Sequence, residues 1–514
     1  MTRKDKYFLA ALLLVYTLYR IAVFLKPFSE INGYAIPDDA YLSLDIARNF
    51  AIGKWFFYGD GTTSGFQPLY VFLMAPVYLI FKNDLITPVY VSIIIQNVFG
   101  YGTIYFMYKL LRSVFEDDYS PFLSVLLFIL LPVSIINMGN GLETSISFFF
   151  FVLVFYYLYE FQKEEFDKIT FKQLFILGVL VGIAMLARID NIMIIPGVKI
   201  WLMMRGKGTK FIKQVLYFLA GSAAVYLPYM ILLYTFTGDF FPVSGKAVHH
   251  IGQDMVENYA VGNSNLFELI RLSLQNIYMN YSVVIIFALL GTLVYRVKSF
   301  ACPWFSQSLK QHAPLIFTSL LLFFAYTFYL NAYWFYSRYF FPLSLFFAII
   351  TAFIINLLIY SFSTQGAKKS VAIVLMILFI LPNVTRTGFK DFFLGEYKTK
   401  GYEKISAWVN KEFPEGTVIG CVQTGAIGYF TDDKTVVINL DGVVNKEAYD
   451  AIQRKDLMNY IRSKKIEYFI DWDINYEFVA RNSSEFKETD LQLVKSADGL
   501  KTWGYDWYVY KVKY

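Results

Sequence analysis

Charge is what this sequence is short of. Only 17% of its 514 residues are Asp, Glu, Lys or Arg, against 57% hydrophobic and 20% aromatic. That balance excludes a water-soluble globular domain and leaves a polytopic membrane protein. Cysteine is nearly absent: Cys302 and Cys421 are the two, and no Cys/His cluster with zinc-ligand spacing accompanies them. Tandem repeats and low-complexity linkers are missing. So is a small-residue cleavage site after the first apolar run, Tyr7 to Leu25, which follows Arg3, Lys4 and Lys6. The run therefore reads as an uncleaved signal anchor with its N-terminus in the cytoplasm. The net charge of +6 comes from short basic clusters between apolar runs, a topology signal and not a nucleic-acid-binding face.

Apolar runs of spanning length lie near 7–25, 90–111, 120–138, 145–161, 172–187, 191–204, 214–236, 278–297, 314–331, 339–360 and 370–387. Another run, Pro68 to Phe81, has only about 14 residues, below the ~20 a crossing helix needs. If it stays at the outer interface, five basic clusters face the cytoplasm: Lys109/Arg112, Lys163/Lys168/Lys172, Arg205/Lys207/Lys210/Lys213, Arg296/Lys298/Lys310 and Lys368/Lys369. Cytoplasmic segments then hold about 17 Lys/Arg in roughly 60 residues, against about 8 in roughly 120 outer-loop residues. If it crosses, the bias reverses. The expected fold is an α-helical membrane module of about eleven spans over 1–387, its outer first loop at 26–89. The N-terminus lies inside and the C-terminus outside. The two cysteines then sit on opposite faces, which excludes a disulfide.

From about Gly388 the character changes. Thr417–Val422, Val436–Leu440, Ile466–Trp472 and Trp507–Val512 read as strands, and Tyr402–Phe413 and Glu447–Lys464 as helices. This alternation predicts a small extracytoplasmic α/β domain over 388–514. The turn Thr424-Gly-Ala-Ile-Gly428 lacks the glycine spacing of a phosphate loop.

The topology gathers the odd polar segments on one face: Asp38-Asp39, Gly139–Thr144 with Glu143, Arg188 and Asp190, Pro242–Lys246 with His249 and His250, and Arg338. Charge beside a membrane is costly unless it caps, pairs or catalyses. Asp38 follows Pro37 and precedes Leu42, Ile46 and Phe50, one face of a helix lying in the interface plane. As an N-cap Asp38 needs no further role, but capping uses only one of two adjacent acids. Asp45 and Arg48 read as an exposed i,i+3 pair. Glu143 is either a first-turn acid favouring its own helix or a site residue. Arg188 and Asp190 are either a salt bridge tying two helices or part of the site. Lys246 and Arg338 are the cations for a phosphate; for Arg338, anchoring among aromatics competes. His249 and His250 fit ordinary surface positions. A lipid-phosphate-linked sugar would use outer acids, cations and a membrane groove together. A cation would steady the leaving phosphate, and a carboxylate would take the acceptor's proton.

The ordered segments PDDAYLSLDIARNFAIG, GTTSGFQPLYVFL, GNGLETSISFFF, LARIDN, FPVSGKA and SRYFFPL resemble the GT-C superfamily of membrane glycosyltransferases. The nearest likeness is to bacterial enzymes such as the terminal arabinofuranosyltransferases of mycobacterial cell walls. GAIGYFTDDKTVVINLDGVVN resembles the head of their outer C-terminal domain. The resemblance covers nearly the whole chain. It implies a polyprenyl-phosphate sugar donor, an extracytoplasmic glycan, lipid or protein acceptor, and a bacterial plasma membrane. It also implies a first-loop acid as catalytic base, at Asp38 or Asp39, with Asp38 preferred. Glu143 falls where relatives carry a second acidic loop residue. Arg188 and Asp190 fall on an Arg-Pro-Asp pattern in which Ile189 replaces the proline. Lys246 matches a loop-closing lysine, although Val243-Ser244 departs from the pattern. An Asp-Asp pair with no further acids nearby points away from an obligatory divalent cation, so no cofactor is expected to be required. A flippase of a lipid-linked sugar is the alternative. It would carry charge at mid-membrane depth, where these runs have almost none. An outer assembly factor is the third class.

Overall fold

The computed structural model describes residues 2–514 apart from 33–34, 165–167, 207, 260–265, 299–302, 363, 386–401, 433–434 and 503–504. Every one of the eleven apolar runs contains helix. In chain order the first helices are α1 (Arg3–Phe24), α2 (Phe28–Ile31), α3 (Asp38–Ala51), α4 (Pro68–Ile80), α5 (Thr87–Val114) and α6 (Tyr119–Leu130). There follow α7 (Pro132–Asn137), α8 (Thr144–Lys163), α9 (Phe171–Ala187), α10 (Ile194–Arg205), α11 (Gly208–Thr237) and α12 (Val243–Tyr259). The last of the series are α13 (Leu266–Lys298), α14 (Pro303–Phe324), α15 (Tyr336–Tyr339), α16 (Leu343–Tyr360) and α17 (Gln365–Thr385).

Among the described residues five helices are long and apolar enough to cross a membrane. A sixth arises if Tyr333–Tyr339 and Leu343–Ile359, bent by 60° at their junction, form one span. Proline punctuates the rest. Pro132 splits the run 120–138 into α6 and α7, because its ring cannot continue the helical hydrogen bonding of α6. α4 has 13 residues, a rise of about 20 Å, short of a hydrocarbon core of roughly 30 Å.

The tightest helix pair is α9 with α11. A methyl built on Gly178 would fall into the Phe218 carbonyl oxygen, and one on Gly221 into that of Phe175. The two backbones therefore touch, the arrangement small residues permit between helices in lipid, where burial itself gives no driving force.

Beyond the membrane module lies a five-stranded sheet. A short hairpin in the first loop, β1 (Phe57–Tyr58) and β2 (Gly61–Thr62), precedes it in the chain. The sheet holds β3 (Val418–Cys421), β4 (Val436–Asn439), β5 (Tyr468–Trp472), β6 (Leu491–Thr502) and β7 (Tyr505–Val512), in the order β4-β3-β5-β7-β6. β4, β3 and β5 run parallel, and β5, β7 and β6 antiparallel. β6 is absent from the sequence-based reading because its LQLVKSADGLKT segment follows no clean alternation and its register shifts twice against β7. The helix expected over Glu447–Lys464 is two, Lys446–Gln453 and Leu457–Ser463, separated at Lys455, whose φ of 55° is left-handed. Cys421 is buried at the end of β3; Cys302 lies outside the described residues, as does the boundary near Gly388.

The amphipathic first-loop helix departs from expectation. α3 does not lie on lipid: Ala40 to Ala47 are all buried, between α4 and the outer domain's helix Gly425–Phe430. The Asp45–Arg48 pair, expected exposed, is buried with it at 2.8 Å, with side-chain exposures of 7% and 19%. Arg48 also donates to the Tyr429 carbonyl.

Replacing Gly178 or Gly221 by leucine is expected to force α9 from α11 and to cost stability of about 1–3 kcal/mol or more. Thermal unfolding of the detergent-solubilised protein checks it; unchanged unfolding in both variants would contradict the close backbone packing.

Candidate active site

Asp38 caps a helix, but not its own. Pro37 occupies the N-cap of α3 and makes no side-chain cap bond. Both Asp38 carboxylate oxygens turn instead to the outer domain, Oδ2 accepting the Gly425 N–H and Oδ1 the Ala426 N–H, each at 2.8 Å. The Gly425 backbone lies so close that a β-carbon there would strike the Asp38 carbonyl. The glycine-bearing turn that imitates a phosphate loop in sequence is thus a short helix whose amides are occupied by a carboxylate of the same chain. Burial pushes the Asp38 carboxyl up to about 7, against the downward pull of those two N–H groups. Tied at both oxygens to backbone amides, Asp38 is less free than Asp39 to accept a further proton donor.

Asp39 points elsewhere. Its Oδ2 accepts from Arg338 Nη1 at 3.0 Å, and the Asp39 side chain is 33% exposed while that of Arg338 is 13%. Arg338 rides on α15, a single turn between the 3-10 turn Tyr333–Phe335 and the bend into α16. Its Nε is buried without a hydrogen-bond partner. The guanidinium carbon sits 4.4 Å from the Phe335 ring centroid and 5.4 Å from that of Tyr339.

A second arginine meets the same ring: Arg188 lies 5.4 Å from the Tyr339 centroid. It occupies the break between α9 and the 3-10 turn Ile189–Met193, in extended backbone. Its Nη1 donates to Glu143 Oε1 at 2.6 Å and its Nε to Asp190 Oδ2 at 3.1 Å. Glu143 makes no cap bond to α8; the loop before it is pinned so that its carboxylate reaches Arg188. Gly141 N–H donates to Gln96 Oε1 at 3.1 Å, and the Tyr70 hydroxyl donates to the Gly141 carbonyl. Asn191 holds the other side, donating to the Ala184 carbonyl and to Ser147 Oγ, each at 2.8 Å. The Tyr326 hydroxyl donates to Asp190 from a π-helical turn, Ala325–Leu330.

Five of the sequence-predicted residues therefore form one charged chain: Asp39, Arg338, Arg188, Glu143 and Asp190. Lys246 stands apart, exposed on α12 with no ion pair shown among the described residues. His249 stacks on the Tyr329 ring at 4.5 Å and bonds its carbonyl. His250 meets Asn482 Oδ1 at 3.3 Å, a contact to the outer domain that its sequence neighbourhood does not announce. Sequence reasoning misses Tyr326 and Tyr339, because among 41 tyrosines none stands out. It also passes over Asp441, in the quoted NLDG segment. Burial raises the Asp441 carboxyl to about 7, with the like charges of Asp39 and Asp38 adding to it. Among the described residues no three His, Cys, Asp or Glu side chains form a metal-holding group.

With this geometry in place, comparison with known proteins is informative. Residues 66–234 match the dolichyl-phosphate-mannose-protein mannosyltransferase family, and residues 394–510 a domain of unknown function, DUF8728. The oligosaccharyltransferase AglB of Archaeoglobus fulgidus, solved with an inhibitory peptide and a dolichol-phosphate, superposes with a TM-score of 0.63 at 12% identity, over 98% of this chain and 74% of that one. ArnT from Cupriavidus metallidurans, bound to undecaprenyl phosphate, superposes at 0.59 and 10% identity, over 98% and 97%. The chain has the GT-C fold. A mycobacterial arabinofuranosyltransferase, AftD, aligns at only 0.44 and 12% identity, over 100% of this chain and 42% of that one, too loosely to bear on the sequence likeness to that group. No curated protein matches by sequence.

Two predictions follow from the pairing. Arg188→Ala leaves Glu143 and Asp190 buried and unpaired and is expected to cost about 3–5 kcal/mol of stability, read as a lowered unfolding temperature. The raised carboxyls of Asp38 and Asp441 hold protons in the folded state that the unfolded chain has released above about pH 4. Their contribution is therefore complete below that pH and lost as pH rises through about 7. The outer domain is expected to melt at higher temperature at pH 5 than at pH 8, with the difference reduced in Asp441→Asn. A flat profile would contradict it.

Proposed function

We propose that the protein is a membrane glycosyltransferase moving a sugar from a polyprenyl-phosphate carrier to an extracytoplasmic glycan, glycolipid or protein acceptor, with Asp39 as general base. The observation that carries the reading is the Asp39–Arg338 pair: a partly exposed carboxylate 3.0 Å from a guanidinium with a buried, unpartnered N–H. The relatives solved with undecaprenyl phosphate and with dolichol-phosphate support the donor class.

In this mechanism the carrier phosphate engages Arg338 and competes with Asp39 for it, so the carboxylate is released as the leaving group arrives. Asp39 then takes the proton of the acceptor hydroxyl while that oxygen bonds to the sugar's anomeric carbon. The bond from that carbon to the phosphate oxygen breaks, and Arg338 steadies the charge that develops there. Glu143 and Asp190 hold Arg188 in place and do not touch the substrate. Lys246 serves the carrier's approach at the outer surface. Asp38 fixes the outer domain beside Asp39. Each of these acids meets an arginine or backbone amides in the resting site, and the scheme assigns no step to a divalent cation.

The same reading takes eleven spans within residues 1–387 and an outer domain over 388–514. The N-terminus lies in the cytoplasm and the sheet outside a bacterial plasma membrane, in keeping with the placement of the basic clusters.

Asp39→Asn is expected to lower sugar transfer by about 10²–10⁴-fold while folding persists. Arg338→Ala is expected to raise the KM for the lipid donor more than that for the acceptor. Transfer by membranes carrying each variant, with donor and acceptor varied separately, measures both. Undiminished transfer by Asp39→Asn would overturn the assignment.

A further inference from the structure

The charged chain is organised around an aromatic ring. Arg188 and Arg338 each lie 5.4 Å from the Tyr339 centroid, and Tyr326 stacks on Tyr339 with centroids 4.8 Å apart and an interplanar angle of 5°. Two like charges are thereby held against one π-system in a site walled by apolar side chains, where their repulsion is screened far less than in water. A ring attracts cations through its quadrupole and offsets part of that repulsion.

The two guanidiniums are not equivalent. Arg188 is saturated by carboxylates on two sides, Glu143 and Asp190. Arg338 has one carboxylate, Asp39, and a buried Nε with no partner. An anion therefore gains most at Arg338, whereas Arg188 is already neutralised by Glu143 and Asp190. The Tyr326 hydroxyl, bonded to Asp190, locks the stack to the same acid that holds Arg188.

Resting on the function proposed above, the geometry points to Tyr339 as a positioning residue, backed by Tyr326, whose ring holds Arg338 toward the phosphate of the lipid carrier. It does not touch the sugar and performs no proton transfer. Its ring makes the contact with the guanidiniums, and its hydroxyl also bonds Arg338.

Substitution separates these contributions. Purified full-length protein in detergent is titrated with undecaprenyl phosphate and with undecaprenol, the same chain without the phosphate. Tyr339→Leu is expected to weaken the phosphate by about tenfold, the scale of a partly desolvated cation–π contact, and to leave the alcohol unchanged. Tyr339→Phe, which keeps the ring and loses only the hydroxyl's bond to Arg338, is expected to lose less than Tyr339→Leu. In turnover, Tyr339→Leu raises the donor KM with a smaller change in kcat. Equal phosphate affinity in Tyr339→Leu and wild type would overturn the proposal, and so would an equal loss in Tyr339→Phe. Should Tyr339→Leu not fold, Tyr326→Leu, which removes the stacked backing, carries the same expectation. A wild-type protein that does not distinguish undecaprenyl phosphate from undecaprenol would sink the function reading itself, a result separate from these.

Discussion

Two backbone amides on one carboxylate tie the first loop to the C-terminal sheet domain. The bonds from Gly425 and Ala426 to Asp38 join α3 to the outer domain at the residue next to Asp39. A buried hydrogen bond contributes about 0.5–1.5 kcal/mol, and leaving either donor unmet would cost more. Secondary ties spread from that point. The Tyr58 hydroxyl donates to the Thr424 carbonyl at 2.8 Å, and Lys446 pairs with Asp239 at 2.9 Å. Asp254 accepts from Arg481 at 2.8 Å. The first loop, α12 and the sheet domain are thus linked to one another by several polar contacts.

Under that layer, the constraint is the cost of charge away from water. Glu143, Asp190 and Arg188 satisfy one another almost completely, with side-chain exposures of 6%, 17% and 9%. Such a set is rigid and chemically quiet. The Asp39–Arg338 pair is the looser end of the same network, more open to solvent and short of one partner. The two halves of the network thus differ in how fully their charges are satisfied, despite sharing residue types.

Much of the helical layout was legible in the sequence because apolar run length marks where helices form, as each of the eleven runs does. The shortness of the run at Pro68 was readable for the same reason, and the gathering of Asp39, Glu143, Arg188, Asp190 and Arg338 followed from placing loops on one side. What stayed hidden depends on contacts distant in the chain. No local pattern around Asp38 announces that it meets residues nearly four hundred positions later, so α3 read as a lipid-facing helix and its Asp45–Arg48 pair as exposed. The break at Lys455 and the strand at Leu491 escaped because neither a left-handed lysine nor an irregular edge strand leaves a periodic trace. Tyr339 was invisible for the opposite reason: it lies in a run already full of aromatics.

The seam between the first loop and the outer sheet leaves no room for side chains at several points. A β-carbon on Gly65 would enter the Val443 carbonyl, and one on Gly59 would lie 2.7 Å from that of Val437. At those two points the surfaces meet with no side chain between them to absorb differences in shape. Modular exchange is therefore closed to this architecture: an outer sheet grafted from a distant relative would seat properly only if the stretch from Phe56 to Phe66 travelled with it, so the two pieces are bound to change in step.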